Sequence, residues 1–213
     1  VILTEGGSMT DIYVYNQLTK DNNGNIKVDQ NGNLGITSSN TPVKVGNLDA
    51  DFNLGWTNHF TYKGIDLGVV LSARVGGLAY SATQGILDYY GVSETSATAR
   101  DNGGIPINNG KVNAQKYYQT IGTGEGGYGR YYLYSATNVR LQELSLNYTL
   151  PKRWFKNVAN VTLGIVGRNL WMLYCKAPFD PESTASTGTY NQGMDYFMQP
   201  SLRSMGFSAK ISF

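Results

Sequence analysis

Residues 204–213, Ser-Met-Gly-Phe-Ser-Ala-Lys-Ile-Ser-Phe, alternate without a break. Met205, Phe207, Ala209, Ile211 and Phe213 fall on one face, and Ser204, Gly206, Ser208, Lys210 and Ser212 on the other. A period of two is that of an extended strand with one apolar and one polar side. In water, a terminal strand whose apolar face runs to the carboxylate is both frayed and sticky. Where lipid covers one face and a polar lumen the other, the same pattern is stable, and an aromatic suits the boundary between hydrocarbon and water. Outer-membrane barrels end their last strand at the periplasmic rim, so Phe213 sets an expected direction for every other strand.

Five further segments alternate. The first, around residues 9–15, is short. Residues 52–62 place Phe52, Leu54, Trp56, Phe60 and Tyr62 opposite Asn53, Gly55, Thr57, His59 and Thr61. After Lys63-Gly64, Ile65, Leu67, Val69, Leu71, Ala73 and Val75 alternate with Asp66, Gly68, Ser72 and Arg74, which predicts a tight hairpin. Residues 138–150 slip phase between Leu141 and Leu144, predicting a β-bulge near Gln142 or Glu143. Pro151, with no amide donor, ends that ladder. Residues 160–172 carry Val161, Leu163 and Ile165 against Thr162, Gly164 and Arg168.

With the last strand running inward, residues 16–51, 76–137 and 174–203 are expected as outer loops, and 63–64 and 151–159 as inner turns. Long connections then fall on one side and short ones on the other, the asymmetry of an outer-membrane barrel. Aromatics near the strand ends fit two girdles. A soluble β-sandwich also has alternating strands. It gives no reason for such long loops to share one side.

Composition agrees. Only 15% of the 213 residues are charged, and 16 Tyr and 26 Gly favour strands and turns. A net charge of +2 without a basic stripe argues against nucleic acid. The single cysteine, Cys175, excludes an intrachain disulfide framework. No apolar run reaches the ~18 residues of a membrane helix, a test that barrel strands escape. The sequence begins at Val1 with no signal-like segment, and reads as a piece of something longer or as a processed product.

Several segments then agree in order with one family. Residues 42–67 (PVKVGNLDADFNLGWTNHFTYKGIDL), 87–92 (LDYYGV), 138–151 (NVRLQELSLNYTLP), 167–170 (GRNL) and 179–182 (FDPE) resemble the late barrel of SusC/RagA-type TonB-dependent transporters of Bacteroidetes. The resemblance implies an all-β fold: an antiparallel transmembrane β-barrel segment, the last six to eight strands of a barrel of about 22. It implies that residues 1–213 are the C-terminal part of that barrel, with plug, TonB box and N-terminal extension absent. It implies import of oligosaccharides or oligopeptides across the outer membrane of a Gram-negative bacterium. The implied partners are a SusD-like surface lipoprotein acting as a lid, TonB through the missing N-terminal part, the glycan or peptide ligand, and outer-membrane lipid. Phe213 is implied to be a membrane assembly signal. The competing expectation is a ligand-binding or adhesion module, as a small independent barrel or a sandwich, without transport.

The remaining motifs divide simply. Asp21-Asn-Asn-Gly-Asn25 and Asp29-Gln-Asn-Gly-Asn33 lack the glycine and glutamate positions of a calcium loop and read as turns. His59 has no acid-base partner in its segment, and 122–127 lacks the Lys-Ser/Thr of a phosphate cradle. No catalytic residues, metal ligands or cofactor are expected, and the chain is not expected to be an enzyme. The tyrosine-rich connection is different, because flat aromatic rings stack on sugars or peptide side chains while Asn and Arg supply hydrogen bonds. Tyr89, Tyr90, Arg100, Tyr117, Tyr118, Tyr128, Tyr131 and Tyr132, with Tyr190 and Asn191 in the next outer loop, are the candidate ligand or lid contacts.

Overall fold

The computed structural model describes residues 4–122, 129–156, 158–183 and 192–212, with residues 38–40 described as backbone only. In chain order the strands and helices are β1 (Asp11–Leu18), β2 (Ile36–Asn47), β3 (Phe52–Tyr62), β4 (Ile65–Val75), β5 (Leu78–Ser81), α1 (Ala82–Tyr89), α2 (Glu94–Asp101), β6 (Ile105–Ile107), β7 (Gly110–Val112), α3 (Ala114–Ile121), β8 (Leu133–Ser135), β9 (Asn138–Thr149), β10 (Asn160–Cys175), β11 (Met194–Asp195) and β12 (Ser204–Ser212). They divide between two compact units. One draws on Val1–Asp49, Gly77–Ser135 and Thr184–Met198, and the other on Ala50–Gly76, Ala136–Ser183 and Gln199–Phe213.

The second unit is an antiparallel meander, β3-β4-β9-β10-β12 in spatial order. Lys63 (φ 46°) and Gly64 (φ 85°) make the two-residue link between β3 and β4. Positive φ at both positions is the primed turn whose twist matches the strands. Register carries the apolar face across all five strands. Leu67 faces Phe60 and Leu146, Ile165 faces Leu146 and Phe207, and Trp171 faces Leu141. Asn58 and Gly167 interrupt this face, and Val70, Val166 and Met172 stand on the polar one. The phase slip has its expected cause: Val70 pairs with Glu143 and Leu71 with Leu141, so Gln142 is left over. On the other side, Asn169 and Leu170 fall between Arg168, which pairs with Glu143, and Trp171, with Asn169 at φ 50°.

The apolar face is exposed, up to 80% at Met205 and 73% at Phe207. An open apolar surface this extensive exceeds what a soluble monomer tolerates and calls for another covering phase. The connections 63–64 and 150–159 lie at one end of the sheet, where Ser212 pairs with Asn160. The connections 76–137 and 176–203 leave from the other, where Arg74 pairs with Asn138 and Asn138 with Cys175. The fold is all-β in its sheet-forming part, as expected. Among the described residues, no helix is long and apolar enough to cross a membrane.

Two expectations change. Residues 16–51 are not simply a loop, because β2 lies within them and pairs with β1 in a separate two-stranded sheet. The alternating segment near residues 9–15 therefore belongs to this hairpin rather than to the five-stranded sheet. Likewise 76–137 is folded, with three eight-residue helices, and its Ile107, Val112, Ile121 and Tyr132 form a core together with Leu18 and Leu34.

Between β1 and β2 the two Asp-x-Asn-Gly-Asn segments are turns. Asp21 Oδ1 accepts from the amides of Asn23 (2.8 Å) and Asn25 (2.9 Å), and Asp29 Oδ1 from those of Asn31 (2.8 Å) and Asn33 (2.7 Å). The amides of Asn25 and Asn33 are the main reason that Asp21 and Asp29 lie below the ordinary carboxylate pKa. A lowered folded value means that this stabilisation is complete above the unfolded pKa of about 3.9 and is lost as pH falls through the folded one. Amide exchange at Asn25 and Asn33 is therefore expected to lose its protection in that acid window. Protection that persists unchanged after both carboxylates are seen to protonate would exclude them as its source.

Candidate functional site

Three N-caps fix the helices of the first unit. The Ser81 hydroxyl accepts from the Gln84 amide, Ser93 from Ser96, and Asn113 from Gln115 and Lys116. Each cap satisfies amides that the first turn leaves without partners. Ser81 also donates to Asp195 Oδ2 at 2.7 Å, where both residues are buried, and Phe197 N donates to Thr83 Oγ1 at 2.6 Å. These bonds and the short β5–β11 pairing fasten residues 194–197 to the start of α1.

The three helices enclose a cleft of about 420 Å³. The end of α1 and the residues after it contribute Asp88, Tyr89, Tyr90 and Gly91; α2 contributes Ser96 and Arg100; α3 contributes Ala114, Gln115, Tyr118 and Gln119. Tyr89 and Tyr90 stand edge to face, 5.2 Å between ring centres, and Tyr90 is 72% exposed. Arg100 Nη1 donates to Gly91 O, holding the guanidinium beside the rings. Asp88 is buried at the cleft wall, where its Oδ1 accepts from Gln84 Nε2 and Thr95 Oγ1, both at 3.0 Å, and from Ser93 Oγ. Burial pushes the Tyr118 hydroxyl pKa up, so at neutral pH it remains an uncharged hydrogen-bonding group. The cleft offers aromatic faces, two amides and one fixed cation, the means of noncovalent recognition.

The sequence candidates separate accordingly. Tyr89, Tyr90, Arg100 and Tyr118 meet at this cleft. Tyr117 packs against the hydrophobic core, and Tyr131 does so while lining another cleft. Tyr132 is corrected to a core residue: it is 3% exposed, and burial, with the Asp88 charge adding to it, pushes its hydroxyl pKa up. Tyr128, Tyr190, Asn191 and Phe213 lie outside the described residues. Asp88, Gln115 and Gln119 were missed, although their neighbours in sequence were chosen. The Ser-x-x-Gln cap before Asp88 and the Asn113 cap before Gln115 were the available signals of helices.

A second arrangement escaped sequence reasoning. Arg140 of β9 reaches Asp180 Oδ1 at 2.8 Å and Glu182 Oε2 at 3.2 Å, with side-chain exposures of 5% for Arg140 and 6% for Asp180. Asp180 also accepts from the amides of Glu182 and Ser201, each at 3.1 Å. Burial works to raise the Asp180 pKa, but the Ser201 and Arg140 bonds prevail and hold it below the ordinary value. One strand arginine thus organises both ends of the connection between β10 and β12. Among the described residues, no group of three His, Cys, Asp or Glu side chains is placed to hold a metal ion.

No protein-family model matches the chain. The TonB-dependent receptor P3 of Formosa agariphila is 26% identical over 201 residues, covering 91% of this chain and 19% of its own length. The RagAB peptide importer in its closed-closed state superposes with a TM-score of 0.54 at 17% identity, covering 95% of this chain and 22% of that one. Its open-open state gives a TM-score of 0.53 at 16% identity, covering 95% of this chain and 21% of that one. The chain therefore spans about a fifth of the length of these relatives.

Proposed function

We propose, for a chain that is a SusC/RagA-like TonB-dependent transporter segment, that it forms part of the barrel wall and outer recognition surface of an importer in the outer membrane of a Gram-negative bacterium. The observation that carries this reading is the five-stranded meander. It has one apolar face that runs across all five strands, interrupted at Asn58 and Gly167, and a polar face, and both long connections leave from the same end. Lipid is the covering phase that such a face requires, and the polar side then lines the lumen. Residues 1–213 form the C-terminal part of the barrel, plug and TonB box lie elsewhere in the parent protein, and Phe213 acts in membrane assembly. The role is uptake rather than catalysis.

The cleft formed by Tyr89, Tyr90, Arg100 and Tyr118 contacts cargo or a SusD-like lipoprotein lid, with the cargo an oligosaccharide or an oligopeptide. The peptide importer among the structural neighbours supports a peptide. The exposed tyrosine pair and the cleft amides equally suit a sugar. Stacking contacts contribute on the order of 0.5–1.5 kcal/mol each, so single substitutions are expected to weaken binding only several-fold. The triple variant Tyr89→Ala, Tyr90→Ala, Arg100→Ala is expected to lose lipoprotein or cargo affinity by more than about tenfold with unchanged barrel stability. Calorimetry on the full-length parent with its lipoprotein, oligosaccharides and oligopeptides makes the measurement. Wild-type affinity for all of them would leave these tyrosines as local packing.

A further inference from the structure

We infer that the first unit carries a second ligand site, separate from the tyrosine cleft, that binds a sugar bearing an oxyanion, either a carboxylate or a sulfate ester. A cleft of about 400 Å³ is lined by Gln17, Leu18, Lys20, Thr37, Arg130 and Tyr131, and shares no lining residue with the first. Two of these groups are cations and none is a carboxylate. The nearest acid in sequence, Asp21, neither lines the cleft nor forms an ion pair with Lys20. Its Oδ1 accepts two amides of its own turn, and its Oδ2 accepts Asn25 Nδ2 at 3.3 Å. Neither Lys20 nor Arg130 forms an ion pair among the described residues.

The framework is also fixed. Gln17 and Thr37 are direct cross-strand partners of β1 and β2, and Arg130 Nη1 donates to Gln17 Oε1 at 3.4 Å. Leu18 is buried in the core, and Tyr131 packs against that core while lining the cleft. A sugar satisfies the whole set: its oxyanion meets Lys20 and Arg130, its hydroxyls meet Gln17 and Thr37, and its C–H face meets Tyr131. A peptide is served less well, because the lining supplies no open apolar pocket for a side chain.

The test is calorimetry on the full-length parent with digalacturonic acid and with a sulfated galactose, against neutral galactobiose. Both charged sugars are expected to bind, less tightly as salt rises, and galactobiose is expected to bind at least tenfold more weakly. The double variant Lys20→Gln, Arg130→Gln is expected to lose roughly tenfold or more in affinity for the charged sugars. The triple variant of the tyrosine cleft is expected to retain this binding, which separates the two sites. Galactobiose binding as tightly as the charged sugars would overturn the proposal, as would unchanged affinity in a double variant that stays folded. So would equal affinity for inorganic sulfate, meaning an adventitious ion only, or tighter binding of an acidic peptide. Because the salt dependence is read on the unmodified protein, a misfolded double variant still leaves a decision: no loss of affinity with added salt would overturn the site.

Discussion

Val69→Arg is expected to destabilise the full-length parent barrel in liposomes by about 2–4 kcal/mol, the cost of placing a cation on the lipid face at mid-depth. Val69 sits in the middle of β4, facing Asn58 on one neighbour and Leu144 on the other. In a soluble sheet, a half-exposed valine replaced by arginine would change stability by only about 0.5 kcal/mol. Thr57, on the polar face of β3 opposite Val70, is the matched control. Thr57→Arg is expected to cost less than about 1 kcal/mol because its side chain enters a wet lumen. Ser72 would serve less well, since it is paired with the buried Arg140. Urea midpoints in liposomes report both variants, and equal losses would remove the assignment of lipid and lumen faces.

Arg140→Leu is expected to be at least as damaging, by about 3–5 kcal/mol, because it leaves the Asp180 carboxylate buried without its cation. Replacing both residues, as Arg140→Leu with Asp180→Leu, is expected to recover much of that loss, since no deeply buried charge is left uncompensated and the Glu182 carboxylate, 38% exposed, is reached by water. Limited proteolysis adds a spatial readout. Cleavage within residues 176–183 is expected to accelerate in the single variant, because the Asp180 bonds to the Glu182 and Ser201 amides depend on a carboxylate that arginine keeps ionised. If the single and double variants lose the same stability, the pair contributes through packing rather than charge.

Where burial is one-sided, sequence was a sufficient guide. β3, β4, β9, β10 and β12 each carry apolar side chains at a period of two, and even the extra residue at Gln142 announces itself as a phase slip. β2 was illegible because Ile-Thr-Ser-Ser-Asn-Thr-Pro-Val-Lys-Val-Gly-Asn has serine and threonine where a face would need apolar side chains, and contains Pro42. The helices span barely two turns each, too short for a 3.6-residue period to rise above the local composition. Proximity in sequence did gather Tyr89, Tyr90 and Arg100. It could not separate Tyr118, which lines the cleft as well as packing against the core, from Tyr117, which does only the latter, or the half-buried Tyr131 from the buried Tyr132. The Arg140–Asp180 pair spans 40 residues and carries no local signal at all.

The pairing of Arg74 with Asn138 gives the inserted segment an unusual freedom to change. Its two ends depart from adjacent strands, about one strand spacing apart, so the sheet register is closed before anything between them is specified. A segment joined at two neighbouring points can be lengthened, shortened or exchanged without disturbing the β-ladder, the same geometry that lets domains be inserted into one another. Recombination at these two seams leaves the five-strand register as it was, and a chimera exchanging residues 77–135 is expected to keep its packing only where the donor's side chains still close the core against Leu18 and Leu34.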